Sequence, residues 1–510
     1  MIWLWACAPK TADAVPAAEP SVDQPALGDG ELVLLHTNDL HGHFLPEPAD
    51  WLEGSPAIGG MAALDAWSDA IEAQLGSEGV LLLDGGDILT GTPLTDLEVR
   101  GAGGGAMLEL MEAVGYDAWV VGNHEFDQGF DNLDRLITAS AVPVVSSNVG
   151  AAEGGLAFER QLPSVVVTAN GLRVGIIGAT TEGLGYLVSP ADWERLSLAP
   201  VAESVAAEVE RLDPETDVIV ALTHIGLDAD RALAAAVSGL DVIVGGHSHT
   251  PLYEAEEVSG VIIVQAGSYG RSLGQLRLKV VDDEVVSSHA ILHDLIPEAQ
   301  PQPASADVLE LVATYEAQID AAYGEVIGEA TSTLSSRYAG ESSLGNWITD
   351  VLRESTGADI GLYNSGGLRA DLRHGSLTLR SIYEVFPFGN AVVTFTITGE
   401  QLVRVLLANA AVQAGHDGGM ISMSGVSGSW HRVLGAPELR DLEVNGEPLA
   451  IDATYVVATN SYVADQADRY LSGLTVRDLR GAGYTVFEAA VEAVRRGPVE
   501  APPLGRLAEH

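Results

Sequence analysis

The sequence predicts a two-domain α/β protein whose first domain carries a polynuclear metal site. Three observations lead there. Short apolar runs alternate with amphipathic helical stretches up to about residue 294, the pattern of an α/β fold. Five of those runs stop at a cluster of Asp, His or Asn. A Pro-rich break then separates this half from a second α/β stretch that lacks such a cluster.

The apolar runs come first. Residues 32–35 lead into His36-Thr37-Asn38-Asp39-Leu40-His41-Gly42, and residues 80–83 into Asp84-Gly85-Gly86-Asp87. Residues 118–121 lead into Gly122-Asn123-His124-Glu125-Phe126-Asp127. Residues 218–222 precede Thr223-His224, and residues 241–244 precede Gly245-Gly246-His247-Ser248-His249. Runs of this length rich in Val, Ile and Leu read as buried strands. Ligands of open α/β sheets bind beyond the carboxyl ends of strands, so these five would deliver their polar residues to one edge. Further strands are expected at 143–147, 173–177, 261–265 and 275–281, and helices at 60–75, 104–114, 130–139, 201–212 and 228–237.

Pro297, Pro301 and Pro303 mark a boundary within 295–323, which continues as an amphipathic linker helix with Leu311, Tyr315 and Ile319 at helical spacing. The catalytic domain is therefore placed at 31–294 and a smaller α+β domain at 324–510. The latter is expected to hold helices at 344–355 and 400–411 and strands at 360–363, 392–397 and 455–459.

Composition narrows the function. The net charge is −47, and Lys10 and Lys279 are the only lysines. Such a surface repels nucleic-acid backbones and anionic lipid, which argues against nucleic-acid binding. No apolar run reaches the ~18–20 residues of a membrane helix. The single cysteine, Cys7, excludes an intrachain disulfide. Leu4-Trp5-Ala6-Cys7 resembles a bacterial lipoprotein cleavage box, although the preceding apolar stretch is short and lacks basic residues. Residues 1–30 are read as a signal-like segment and flexible tether, with a lipid anchor at Cys7 and a cell-envelope location, periplasmic or outer-membrane-anchored, as the expectation.

A mixed Asp/His/Asn donor set suits Zn²⁺, Mn²⁺ or Co²⁺. Two such ions ~3.5–4 Å apart clamp the attacking and leaving oxygens of a displacement at phosphorus. Asp87 is the candidate bridge between them, because the two glycines before it let the backbone turn tightly.

These stretches, taken in order, resemble the motifs of the calcineurin-like metallophosphoesterases, and more narrowly the secreted 5′-nucleotidase/UDP-sugar hydrolase group. The resemblance runs from about residue 31 to near the C-terminus. It implies a four-layer αββα sandwich followed by a 5′-nucleotidase C-terminal domain, with a hinge at the linker. It implies that Asp39, His41, Asp87 and His249 hold one divalent metal, and Asp87, Asn123, His224 and His247 the other. His124 corresponds to the family's catalytic histidine and Asp127 to the group that orients it. The attacking group would be a hydroxide made at the metals, where the pKa of water falls to ~7. His36 is expected to hold the Asp39 loop, and Asp84 to lie outside the site. His43 has no assigned role. His289, His293, His374, His416, His431 and His510 are read as surface residues.

In so acidic a chain an anionic substrate needs local arginines, and Arg337, Arg353, Arg369, Arg373 and Arg380 cluster in the second domain. Asn364-Ser365-Gly366-Gly367-Leu368-Arg369 places two glycines between an amide and a guanidinium, letting backbone approach a ligand while Arg forks onto an anion. It resembles the Asn-x-Gly-Gly-x-Arg motif of the nucleotidase C-terminal domain, whose implied roles are phosphate contact by Arg369 and base or ribose contact by Asn364. Phe388, within Phe386-Pro387-Phe388-Gly389-Asn390, and Tyr462 correspond to the two aromatic faces for a base. Of the family's Asn-Gly-Gly-Asp-Gly-Phe, only Asp468 and the final aromatic survive in 465–470. The family's second phosphate-contacting Arg falls at Tyr338, with Arg337 one position away.

The expected activity is metal-dependent hydrolysis of nucleoside 5′-monophosphates for extracytoplasmic scavenging, with substrate between the two domains. The same metals would serve a 2′,3′-cyclic-nucleotide phosphodiesterase, a UDP-sugar hydrolase, a thiosulfohydrolase-like relative or a general phosphomonoesterase. A non-catalytic envelope protein that binds nucleotide or metal is the alternative of a different class.

Overall fold

A computed structural model describes residues 24–415 and 419–509. Cys7, His416 and His510 lie outside the described residues. Those described divide into two compact units between Gln318 and Ile319, inside the helix Ala306–Tyr323.

The first unit is a sandwich of two six-stranded sheets. One contains Glu31–Thr37 (β1), Val80–Asp84 (β2), Ala118–Val120 (β3) and Val144–Val145 (β4), all parallel. The other contains Leu172–Thr180 (β5), Val218–His224 (β6), Val242–Val244 (β7) and Val261–Val264 (β8), also parallel. Leu32, Leu34, Leu81, Leu83, Ala118 and Val120 of the first sheet share one core with Val174, Ile176, Val220, Leu222, Val242 and Val244 of the second. The alternate residues Val33, Leu35 and Leu82 are also buried, as parallel strands covered on both faces require. Helices Val201–Leu212 and Leu227–Ala236 cover the second sheet through Val205, Val209, Leu233 and Ala234 against Ile177, Ile219, Ala221 and Ile243.

The five ligand-bearing strands are divided between these two sheets, as the αββα resemblance implies. Their shared edge exists because the sheets stack with the same polarity of loops at the site. The first sheet ends in an antiparallel hairpin, Ser272–Val281 (β9) and Glu284–Asp294 (β10), turned at Asp282 and Asp283, both with positive φ. Such a two-residue turn needs left-handed backbone. The sequence reading has no counterpart for β10, whose residues are all exposed or half-buried.

The second unit holds a mixed five-stranded sheet that includes Ile360–Asn364 (β11), Ala391–Thr398 (β12) and Thr454–Asn460 (β13). Helix Ser343–Thr356 packs on one face and helix Gly399–Gln413 on the other. Among the described residues no helix is long and apolar enough to cross a membrane.

Candidate metal centre

Five of the seven candidate ligands stand in left-handed backbone: Asp39, His41, Asp87, His247 and His249 have φ between 48° and 74°. That conformation costs an L-residue roughly 1–2 kcal/mol, so other contacts must hold it. Here the loops after β1 and β2 are zipped together: Asp39 N–H donates to the Gly86 carbonyl (2.8 Å), His41 N–H to Asp87 (2.9 Å) and Gly42 N–H to Ile88 (2.9 Å). The glycines are a packing requirement. A side chain at Gly86 would meet the Val120 carbonyl oxygen at 2.8 Å, and one at Gly246 the Gly85 carbonyl oxygen at 2.4 Å.

The ligand atoms converge in three groups: Asp39/His41/His249, His41/Asp87/His124 and Asp87/His224/His247, each with one donor atom per residue within 4.8 Å of the others. His249 Nε2 lies 3.1 Å from Asp39 Oδ1 and 3.2 Å from His41 Nε2. Asp87 Oδ2 lies 3.0 Å from His224 Nε2, 3.9 Å from His41 Nε2 and 4.0 Å from His124 Nε2. His124 N–H donates to Asp87 Oδ1 (2.8 Å), which brings the adjacent Asn123 to the same edge.

This arrangement fits divalent-cation binding. Asp39 Oδ1, Asn123 Oδ1 and His224 Nε2 are buried with no hydrogen-bond partner, an expensive state unless something else satisfies them. The remaining atoms are already committed. Asp39 Oδ2 accepts from Asn38 Nδ2 (2.6 Å) and His247 N–H (2.9 Å). His41 Nδ1 donates to the Leu89 and Thr90 carbonyls and His224 Nδ1 to Gly85, which turns both Nε2 atoms toward the cluster. Charge is arranged accordingly. Burial works against ionisation of Asp87, but the His224 and His124 imidazoles hold its carboxyl well below the usual range. Burial likewise disfavours a charged His224, yet the Asp87 carboxylate keeps its pKa up at about 10. Burial, then the neighbouring His224, lowers His247 to about 4.

His124 sits beside this cluster with its Nδ1 donating to Asp127 Oδ2 (2.6 Å), and Thr90 Oγ1 also donates to Asp127 (2.7 Å). His124 and Asp127, paired in the sequence expectation, are hydrogen-bonded here, and His124 Nε2 lies 4.0 Å from Asp87 Oδ2.

Two residues that hold the centre, Glu125 and Gln265, have no role in the sequence reading. Glu125 is fully buried and accepts from four backbone N–H groups, of Gly122 (2.6 Å), Asp87 (3.1 Å), Ile88 (2.8 Å) and Leu89 (3.2 Å). Burial and the nearby Asp87 push its pKa up to about 8. Replacing it with alanine strands four donors at roughly 1–3 kcal/mol each. Its thermal midpoint should fall well below wild type in calorimetry; an unchanged midpoint would mean solvent replaces the carboxylate. Gln265 ties the Gly245–His249 loop by accepting from Ser248 Oγ (2.9 Å) and Thr250 N–H (2.6 Å) and donating to the Gly246 carbonyl (3.1 Å).

Three sequence expectations need correction. His36 does not hold the Asp39 loop. It pairs with Gly274 of β9, and its ring occupies the space a Cβ there would take; burial lowers its pKa to about 3. Asn38 holds the loop instead, through Asp39, the Gly267 carbonyl (2.5 Å) and Ala266 N–H (2.7 Å). Asp84 does take part: it accepts from Thr37 Oγ1 (2.6 Å) and Gly86 N–H (2.9 Å), and burial raises its pKa to about 7. His293 is not a plain surface residue, for its ring packs on Trp67 at 5.0 Å and it bonds Gln275 at 2.8 Å.

In the second unit, Asn364 is buried at the end of β11 and accepts from Asn460 Nδ2 (2.8 Å). Gly367 lies against the Tyr363 phenol, which a Cβ would meet at 2.8 Å, so packing within the unit already demands glycine there. Phe386 is a core residue beside Trp347 and Tyr363. Phe388, Arg369 and Tyr462 are half-buried, Tyr462 with its ring 5.8 Å from that of Tyr470, and Asp468 is exposed. Arg337 is exposed, and the exposed Tyr338 lies nearest to Gly366, at 3.6 Å from where its Cβ would be.

Comparison with known proteins agrees with this geometry. The calcineurin-like phosphoesterase family matches residues 32–251, and the 5′-nucleotidase C-terminal domain matches residues 323–473. The crystal structure of a 5′-nucleotidase precursor from Thermus thermophilus superposes with a TM-score of 0.82 at 30% identity, covering 94% of this chain and 99% of that one. Protein UshA of Escherichia coli is 28% identical over 86% of both chains. The trifunctional nucleotide phosphoesterase YfkN of Bacillus subtilis is 27% identical over 93% of this chain, which spans 34% of that protein's length. With a two-sheet domain, a clustered Asp/His centre and both family domains in order, the chain belongs to the 5′-nucleotidase family of calcineurin-like phosphoesterases and is a phosphoric ester hydrolase.

Proposed function

We propose that this protein hydrolyses nucleoside 5′-monophosphates to nucleoside and phosphate, with a pair of divalent cations held by Asp39, His41, Asp87, Asn123, His224, His247 and His249. The observation that carries the reading is the chain of three donor groups linked through His41 and Asp87, with the His124–Asp127 pair alongside. The cations, when bound, would supply Lewis acidity and an activated water. His124, oriented by Asp127, would stabilise charge developing at phosphorus or protonate the leaving oxygen. In the second unit Arg369 would contact phosphate, Asn364 the ribose or base, and Phe388 and Tyr462 the base faces, with Gly366, Gly367, Asp468 and Arg337 shaping that pocket. Extracytoplasmic scavenging, with anchorage through Cys7, completes the reading.

Phosphate release from AMP, 2′,3′-cyclic AMP, UDP-glucose and bis-p-nitrophenyl phosphate tests it on metal-replete protein. AMP should be the best substrate and EDTA should abolish turnover. Good cyclic-nucleotide turnover without AMP turnover would replace the substrate assignment. Activity indifferent to EDTA in protein free of metal would remove the metal assignment.

Cation uptake should also release protons. Beside Asp87, His224 holds its proton to about pH 10, and an imidazole must lose it to become a ligand. Affinity should therefore weaken as pH falls through the neutral range, with proton release readable by calorimetry in buffers of different ionisation heat. Affinity independent of pH would contradict ligation by His224.

A further inference from the structure

We propose that Tyr269 is a positioning residue that sets the ring of His249 and thereby preorganises one half of the metal centre. The inference rests on the metal reading above and goes beyond it by assigning a role to a residue outside the ligand set.

The candidate imidazoles are not held alike. His41 and His224 are anchored through Nδ1 to backbone carbonyls. His249 makes its contacts at Nε2, toward Asp39 and His41, and among the described residues no hydrogen bond fixes its Nδ1. Tyr269 meets its ring edge-on instead, with centroids 5.5 Å apart and planes at 80°, and meets His41 at 5.6 Å and 62°.

The tyrosine is itself immobilised. His43 stacks on it at 4.3 Å with planes 23° apart, and the Arg271 guanidinium lies 4.7 Å over its ring. Arg271 also lies 4.8 Å over Trp51 and is paired with Glu47. Tyr269 has φ +65°, a left-handed conformation that is costly for an aromatic residue. The Tyr269 N–H bond to the Asp39 carbonyl (2.7 Å) and the Asn38 bonds to Ala266 and Gly267 hold it there. Backbone on one side and rings on the other thus deliver an aromatic edge to His249, where a hydrogen bond would ordinarily orient a ligand. His224 and His247 pack against each other at 5.0 Å, so the other half has its own support.

Calorimetric titration of metal-free protein with Zn²⁺ or Mn²⁺, monitored for two binding events, tests the assignment. Tyr269→Leu should weaken one event by about 10- to 100-fold, the usual effect of losing a group that orients a ligand, and leave the other within twofold. Tyr269→Phe, which keeps the ring, should titrate like wild type. Melting curves of the metal-free proteins should coincide. Wild-type-like titration of Tyr269→Leu, equal weakening of both events, or a Tyr269→Phe defect as large as that of Tyr269→Leu would overturn the proposal. Wild-type protein taking up fewer than two ions would overturn the metal reading itself, a result distinct from these three.

Discussion

Asp87→Asn should reduce phosphoester hydrolysis by roughly 10³-fold or more, because charge stabilisation at a metal pair is worth several kcal/mol and each 1.36 kcal/mol is tenfold in rate. The same protein should retain fewer than two equivalents of metal by elemental analysis. Asp87 is singular in the centre: it belongs to two of the three donor groups. Its Oδ2 faces His224, His41 and His124, while Oδ1 accepts the His124 N–H. Asparagine preserves the volume and one acceptor but removes the negative charge that faces those imidazoles. An Asp87→Asn protein with full metal content and ordinary turnover would remove the bridging assignment.

His124→Asn should lower turnover by about 10²- to 10⁴-fold, the range expected for a general acid or base, with metal content unchanged. Proximity alone admits His124 as a ligand, since it groups with His41 and Asp87. Its surroundings argue otherwise. Nδ1 is engaged by Asp127, and Nε2 stands 4.0 Å from Asp87 Oδ2, against 3.0 Å for His224. Loss of one metal equivalent in this variant would move His124 into the ligand set.

The candidate ligands were legible in the sequence because each stands just beyond an apolar run, so a local pattern marked both the strand and its cargo. The helices 130–139 and 201–212 were legible for the same reason, through their apolar spacing, and the structure places them at Phe130–Ala139 and Val201–Leu212. The supporting residues were not legible. Glu125 acts on N–H groups of residues 87–89, distant in the chain, and nothing between His124 and Phe126 advertises that reach. His36 was misread because its neighbour in sequence is the Asp39 loop, whereas its neighbour in space is Gly274, fixed by antiparallel register with β9. The division of the five strands between two sheets was legible only through the family resemblance, because an apolar run buried on both faces does not name its partner.

Asp39, His41, Asp87 and Asn123 are carried by loops of one sheet, and His224, His247 and His249 by loops of the other. Cations seated there would act as rivets between the two layers. Two of the three donor groups draw on residues at or beyond β6, so a fragment that ends before that strand should bind cations more weakly than the whole domain, however well it folded.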